Sequence, residues 1–113
     1  MKVLVTGANG YLGKGVVSAL LDEGIDVVST DLKTDLIDSR SQIIEGDIFA
    51  LEDPYTYYGE PDVLLHMAWR DGFVHNSENH IKDLPKHVSF LTKMVESGIG
   101  QVAVLGSMHE IGF

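Results

Sequence analysis

The sequence predicts a doubly wound, parallel α/β sheet of about five strands, and three observations carry that prediction. Short apolar runs rich in β-branched residues alternate with segments of helical spacing. A glycine-rich stretch, Thr6-Gly7-Ala8-Asn9-Gly10-Tyr11-Leu12-Gly13, separates the first such run from the first helical segment. The connections are short, as crossover units between parallel strands are.

Taken in order, Val3 to Thr6 is a strand of the kind buried on both faces. Tyr11 to Glu23 has helical spacing, with Leu12, Val16, Val17, Leu20 and Leu21 on one side and Gly24 as the stop. Ile25 to Thr30 is the second strand, Lys33 to Arg40 a polar loop, and Gln42 to Glu45 the third strand. Ile48 to Tyr58 is a connection with at most one short helix. Asp62 to Ala68 follows the turn signal Gly59-Glu60-Pro61 as the fourth strand. Ser77 to Ser97 is helical, starting late or kinking at Pro85, with Val88, Leu91, Met94 and Val95 as its buried stripe. Val102 to Leu105 is the fifth strand.

Composition narrows the function. A chain of 113 residues supports one core, and 44% hydrophobic with 22% charged residues is the balance of an ordinary globular domain. The net charge of −9 argues against a nucleic-acid or anionic-membrane surface. Apolar stretches are strand-length, far below the ~20 residues of a membrane span. Met1 to Gly7 reads as strand and not as a signal peptide, so a cytoplasmic location is expected. With no cysteine, thiolate chemistry is excluded. His75 and His80 fall on different helix faces and no His-Glu-x-x-His occurs, so no metal site is expected.

The glycine stretch carries the chemistry. Gly7 permits a tight turn, Gly10 lets backbone approach a pyrophosphate, and Gly13 lets helix pack closely on strand. The N–H groups and positive dipole end of the helix then favour phosphates. A P-loop is excluded because Lys14 is followed by Gly15. The reading is a Rossmann-type dinucleotide site, although the spacing is Gly-x-x-Gly-x-x-Gly and not Gly-x-Gly-x-x-Gly.

Thr-Gly-Ala-Asn-Gly-Tyr-Leu-Gly resembles the opening motif of the extended short-chain dehydrogenase/reductases, the NAD-dependent epimerase/dehydratase family. The resemblance places Gly7, Asn9, Gly10, Tyr11, Leu12 and Gly13 at a cofactor. Asp31, 18 positions after Gly13 and followed by Leu32, stands where a carboxylate accepts both ribose hydroxyls. It repels a 2′-phosphate, so NAD is expected before NADP, with Lys33 softening the preference. Asp47-Ile48 is similar to the family's acidic-plus-apolar pair at the adenine ring. His66-Met67-Ala68 resembles its His-x-Ala segment beside the cofactor, with Trp69 in place of a small residue. Taken alone, Asp31 and Asp47 also read as turn residues, and His66 as a core histidine. Ser107 matches the Ser/Thr that hydrogen-bonds the reacting oxygen, and is the expected catalytic residue. Glu110-Ile111-Gly112 replaces the usual Val-Tyr-Gly, and Asn79 lies about one turn too early for the family's helix asparagine.

The family's acid/base pair, Tyr-x-x-x-Lys, is absent: four residues beyond Tyr11, Tyr55, Tyr57 and Tyr58 stand Gly15, Gly59, Pro61 and Asp62. The expectation is therefore the N-terminal cofactor-binding portion of a longer enzyme, inactive by itself. The resemblance implies a homodimeric parent that acts by hydride transfer on a small molecule, a nucleotide-sugar, as epimerase, dehydratase or reductase. A non-catalytic redox sensor on the same fold is the alternative.

Overall fold

The computed structural model describes residues 1–67 and 78–104, the side chains of 78–83 excepted. The elements run β1 (Lys2–Thr6), α1 (Tyr11–Asp22), β2 (Asp26–Asp31), β3 (Gln42–Glu45), a 3₁₀ turn (Ile48–Ala50), α2 (Pro54–Tyr57), β4 (Val63–His66), α3 (Glu78–Glu96) and β5 (Gln101–Val104). The strands form one sheet in the order β3-β2-β1-β4-β5, and every pairing is parallel. The strand order reverses direction between β1 and β4, the switch point at which such sheets open a crevice.

Alternate residues of each strand serve different layers. Val3, Val5 and Val27 pack with Ala8, Val17 and Ile37 under α1. Leu4, Val28 and Leu64 pack on the other face with Ile48, Tyr58, Phe90 and Met94. The sheet is thus covered on both sides, which is why its strands read as continuous apolar runs.

Each helix hands the chain to the next strand in the same way. At the end of α1, Gly24 (φ +78°) donates to the Leu21 carbonyl and Ile25 to the Leu20 carbonyl, a Schellman closure. The pattern repeats at Gly59 after α2 and at Gly98 after α3.

Two buried stripes differ from the sequence pattern. On α1, Leu12 is 44% exposed, and Gly13 and Val17 carry the contact with the sheet. Leu12 lies in the first turn, beside the glycine loop and beyond the strands it was expected to cover. On α3, Val88 and Val95 are 54% and 59% exposed. His87, Phe90 and Met94 face the sheet instead, with Leu91 at the flank. A histidine occupies a position in that stripe that an apolar period does not count. Pro85 neither delays nor ends α3, which runs unbroken from Glu78 to Glu96. Pro85 itself is exposed, and it costs the helix one i→i−4 hydrogen bond without ending it.

Candidate functional site

The five strands end together. Ile44, Thr30, Thr6, His66 and Val104 stand side by side across the sheet, and the candidate residues follow directly beyond that row. Hydrogen bonds continue past it, from Ala8 N–H to Thr30 O, Gly46 N–H to Asp31 O and Met67 N–H to Thr6 O. The loops that leave β1, β2, β3 and β4 are therefore held to one another where they leave the sheet.

The glycine turn is built for close approach. Gly7 has φ +68°, and its carbonyl accepts the Gly10 N–H at 3.1 Å. A Cβ on Gly13 would sit 2.2 Å from the Gly7 carbonyl oxygen and 2.9 Å from the Ala8 Cα, so no side chain fits there. Gly10 is the N-cap of α1 and supplies no capping side chain. The N–H groups of the first turn accordingly point at whatever occupies the crevice. Tyr11 and Leu12 are exposed at its edge, and Leu32 is 68% exposed across from them.

Asp31 is oriented before any ligand arrives. Its Oδ2 accepts the Asn9 N–H at 2.9 Å and its Oδ1 the Leu32 N–H at 2.7 Å. Each oxygen keeps a lone pair for one further donor, the requirement for taking two vicinal hydroxyls. The Asn9 side chain reaches the loop after β2 as well, donating to Asp35 Oδ1 at 3.1 Å and accepting the Leu36 N–H at 2.7 Å.

That loop is a docked element, which its polar sequence conceals. Ile37 is buried under α1, Ser18 donates to Asp38 at 3.1 Å, and Arg40 pairs with both Asp38 and Asp22. The Arg40 guanidinium holds the Asp38 carboxyl well below the usual carboxylate range. The sequence signal for this was the pair Leu36-Ile37, two apolar residues among polar neighbours, of which Ile37 is the buried one.

Beyond β3, Asp47 is exposed and caps the 3₁₀ turn by accepting the Phe49 N–H at 2.9 Å. Ile48 is buried in the core, so only its backbone faces outward. Beyond β4, Met67 is half-buried. The His66 ring is fully buried, bonded through Nδ1 to Thr6 and through Nε2 to His87, each at 2.7 Å. Burial, with His87 adjacent, pushes its pKa down to about 3, so the ring is neutral near pH 7. Thr6 and His87 were not singled out in the sequence. The signal available was a polar residue in each of two otherwise apolar stripes. Ala68, Trp69 and Ser107 lie outside the described residues, as do His75 and residues 110–112. Among the described residues no cluster of His, Asp and Glu could hold a metal ion, and no helix is long and apolar enough to cross a membrane.

Comparison with known proteins agrees with this arrangement. The model of the NAD-dependent epimerase/dehydratase family matches residues 3–112. The chain belongs to that family. Among curated proteins, it is 39% identical to dTDP-6-deoxy-L-talose 4-dehydrogenase (NAD(+)) of Aggregatibacter actinomycetemcomitans, over all of this chain and 44% of that protein. It is 35% identical to an uncharacterized protein of Saccharomyces cerevisiae, over 70% of this chain and 27% of that one. Family members with solved structures share the fold. UDP-glucose 4-epimerase of Thermotoga maritima superposes with a TM-score of 0.74 at 20% identity, over 92% of this chain and 37% of that one. The NAD complex of the Thermus thermophilus UDP-glucose 4-epimerase gives 0.72 at 20% identity, over 90% and 36%. The chain thus spans less than half the length of these relatives.

Proposed function

We propose that this chain is the NAD-binding portion of an enzyme that moves a hydride to or from a nucleotide-linked sugar. The observation that carries the reading is the Asp31 carboxylate, fixed by two backbone N–H groups beside a glycine turn too tight for any side chain at position 13. In this reading the pyrophosphate lies over the first turn of α1 and the adenosine ribose hydroxyls bind Asp31. The adenine lies against Asp47 and the backbone of Ile48. Tyr11, Leu12 and Leu32, exposed apolar side chains round the crevice, gain cover from the ligand. Met67, above the buried His66, lies on the far side of the turn, and Ala68, the next residue in the chain, is assigned with them to the cofactor.

NAD supplies the hydride acceptor. Ser107, three residues past β5 in the chain, donates a hydrogen bond to the oxygen on the carbon that gives up or takes the hydride. The relatives' names support the sugar class: one is a dTDP-deoxysugar dehydrogenase and others are UDP-glucose epimerases. The parent is proposed as a cytoplasmic homodimer. Exposed Leu84, Val88 and Val95, with half-buried Leu91, follow a 4-3-4 spacing along α3 that suits a helix–helix seam.

Titration calorimetry tests the cofactor assignment. The full chain should bind NAD⁺ in preference to NADP⁺, and Asp31→Ala should weaken NAD⁺ about ten- to a hundredfold while narrowing the gap to NADP⁺, the effect of losing charge-assisted bonds worth about 1.5–3 kcal/mol. A wild-type chain that takes up neither dinucleotide overturns the reading.

A further inference from the structure

Beneath the crevice three buried side chains form a continuous hydrogen-bonded line from β1 through β4 to α3. Thr6 Oγ1 lies 2.7 Å from His66 Nδ1, and His66 Nε2 lies 2.7 Å from His87 Nδ1. Thr6 Oγ1 also accepts the Met67 N–H at 3.0 Å. Thr6, His66 and His87 are each at most 1% exposed. Phe49 stands edge-on to His87 at 4.8 Å, and Phe90 lies beside His66 at 5.2 Å.

The hydrogens in this line can be counted. Thr6 has one hydroxyl hydrogen, and its oxygen is already an acceptor from Met67. If His66 donated from Nδ1, the Thr6 hydrogen would need another acceptor, and the hydroxyl makes no other hydrogen bond among the described residues. Thr6 therefore donates to His66 Nδ1. His66 then carries its hydrogen on Nε2 and donates to His87 Nδ1, which leaves the His87 hydrogen on Nε2. Reversing either ring puts a donor against a donor or strands a buried hydroxyl.

We propose that this one-directional line makes His87 a positioning residue for the dinucleotide, acting through His66 and Thr6. The proposal rests on the NAD-binding reading. Thr6 is the residue before the glycine turn, and it holds Met67 by its carbonyl as well as its hydroxyl. The line therefore fixes three things together: the start of the turn, the exit of β4 and the lateral position of α3. Apolar packing alone tolerates small slides of a helix over a sheet. Two short bonds with a fixed donor order do not, because a shift that lengthens one leaves a buried polar atom unmet.

Nitrogen-detected NMR of the full chain at pH 7 tests the direction: both rings should be Nε2–H tautomers, and a hydrogen on Nδ1 of either overturns it. NAD⁺ titration tests the positioning. His87→Asn, whose amide oxygen can take the place of Nδ1, should bind within about threefold of wild type. His87→Phe, which keeps the ring and loses the acceptor, should bind about tenfold more weakly, the factor equivalent to about 1.4 kcal/mol. Thr6→Val provides a second break in the line should His87→Phe fail to fold, and it should weaken binding similarly. Wild-type affinity in a folded His87→Phe or Thr6→Val overturns the positioning role. Failure of the wild-type chain to bind NAD⁺ removes the function reading and the positioning role together, while the ring tautomers still decide the line itself.

Discussion

The two faces of the sheet are held by different means. Under α1 the packed core is aliphatic, Val3, Val5, Val17, Val27 and Ile37, with polar bonds at its margin from Ser18 and Ser29 to the docked loop, and its closeness is set by the missing side chain at Gly13. Under α3 the contact adds aromatic and polar groups to the aliphatic ones, with Phe49 and Phe90 beside the hydrogen-bonded His66–His87 pair. The first face is fixed by shape, since aliphatic groups have no preferred direction beyond filling space. The second is fixed by direction, since a hydrogen bond between buried rings permits one geometry. The crevice lies between them, and one wall comes from each.

If shape governs the α1 face, Gly13→Ala should give the largest effect. The new Cβ meets backbone on two sides, so α1 must lift from β1, at a cost of about 3 kcal/mol in urea unfolding. NAD⁺ binding should be lost with it, and an unchanged unfolding midpoint would break the contrast.

The α3 face should instead answer to acid. The His66 pKa is about 3 in the fold and near 6.5 unfolded, so below pH 6.5 the unfolded chain takes up the proton that the folded chain refuses. Stability then falls as pH falls, by about 2 kcal/mol between pH 6.5 and 4.5. Urea melts across that range check it, and a flat profile would mean that the buried ring is not kept neutral by the fold.

The smallest effect has the opposite sign. Gly15 is on α1, two residues from Gly13, and a Cβ there meets nothing within 4 Å. Gly15→Ala should raise stability by about 0.5–1 kcal/mol, the ordinary gain of alanine over glycine inside a helix. A loss would show that the constraint extends along α1 beyond the strand contact.

The same contrast explains what the sequence made legible. The succession of strands and helices, the glycine turn and the position of Asp31 were readable because each depends on local pattern: apolar runs, glycine spacing and distance along the chain. The bonds of Asn9 to Asp35 and Leu36 were not, because they join the glycine turn to a loop 26 and 27 residues away. His87 escaped for a related reason. The helical period scores it as polar, and only the fold places it 2.7 Å from His66. Val88 and Val95 misled in the converse sense, since their hydrophobicity said burial without saying against what. Pro85 misled because its penalty is one lost hydrogen bond, which a 19-residue helix absorbs.

The row in which all five strands end is also a ruler. Neighbouring strands lie ~4.8 Å apart, so the row measures ~19 Å from β3 to β5. Asp31 marks a point near one end and the glycine turn marks the middle. A ligand that satisfies both spans one of the four strand spacings, which leaves its far end to extend over β4 and β5. The order of the strands thereby sets the direction in which a bound dinucleotide would run, from β2 toward β4 and β5.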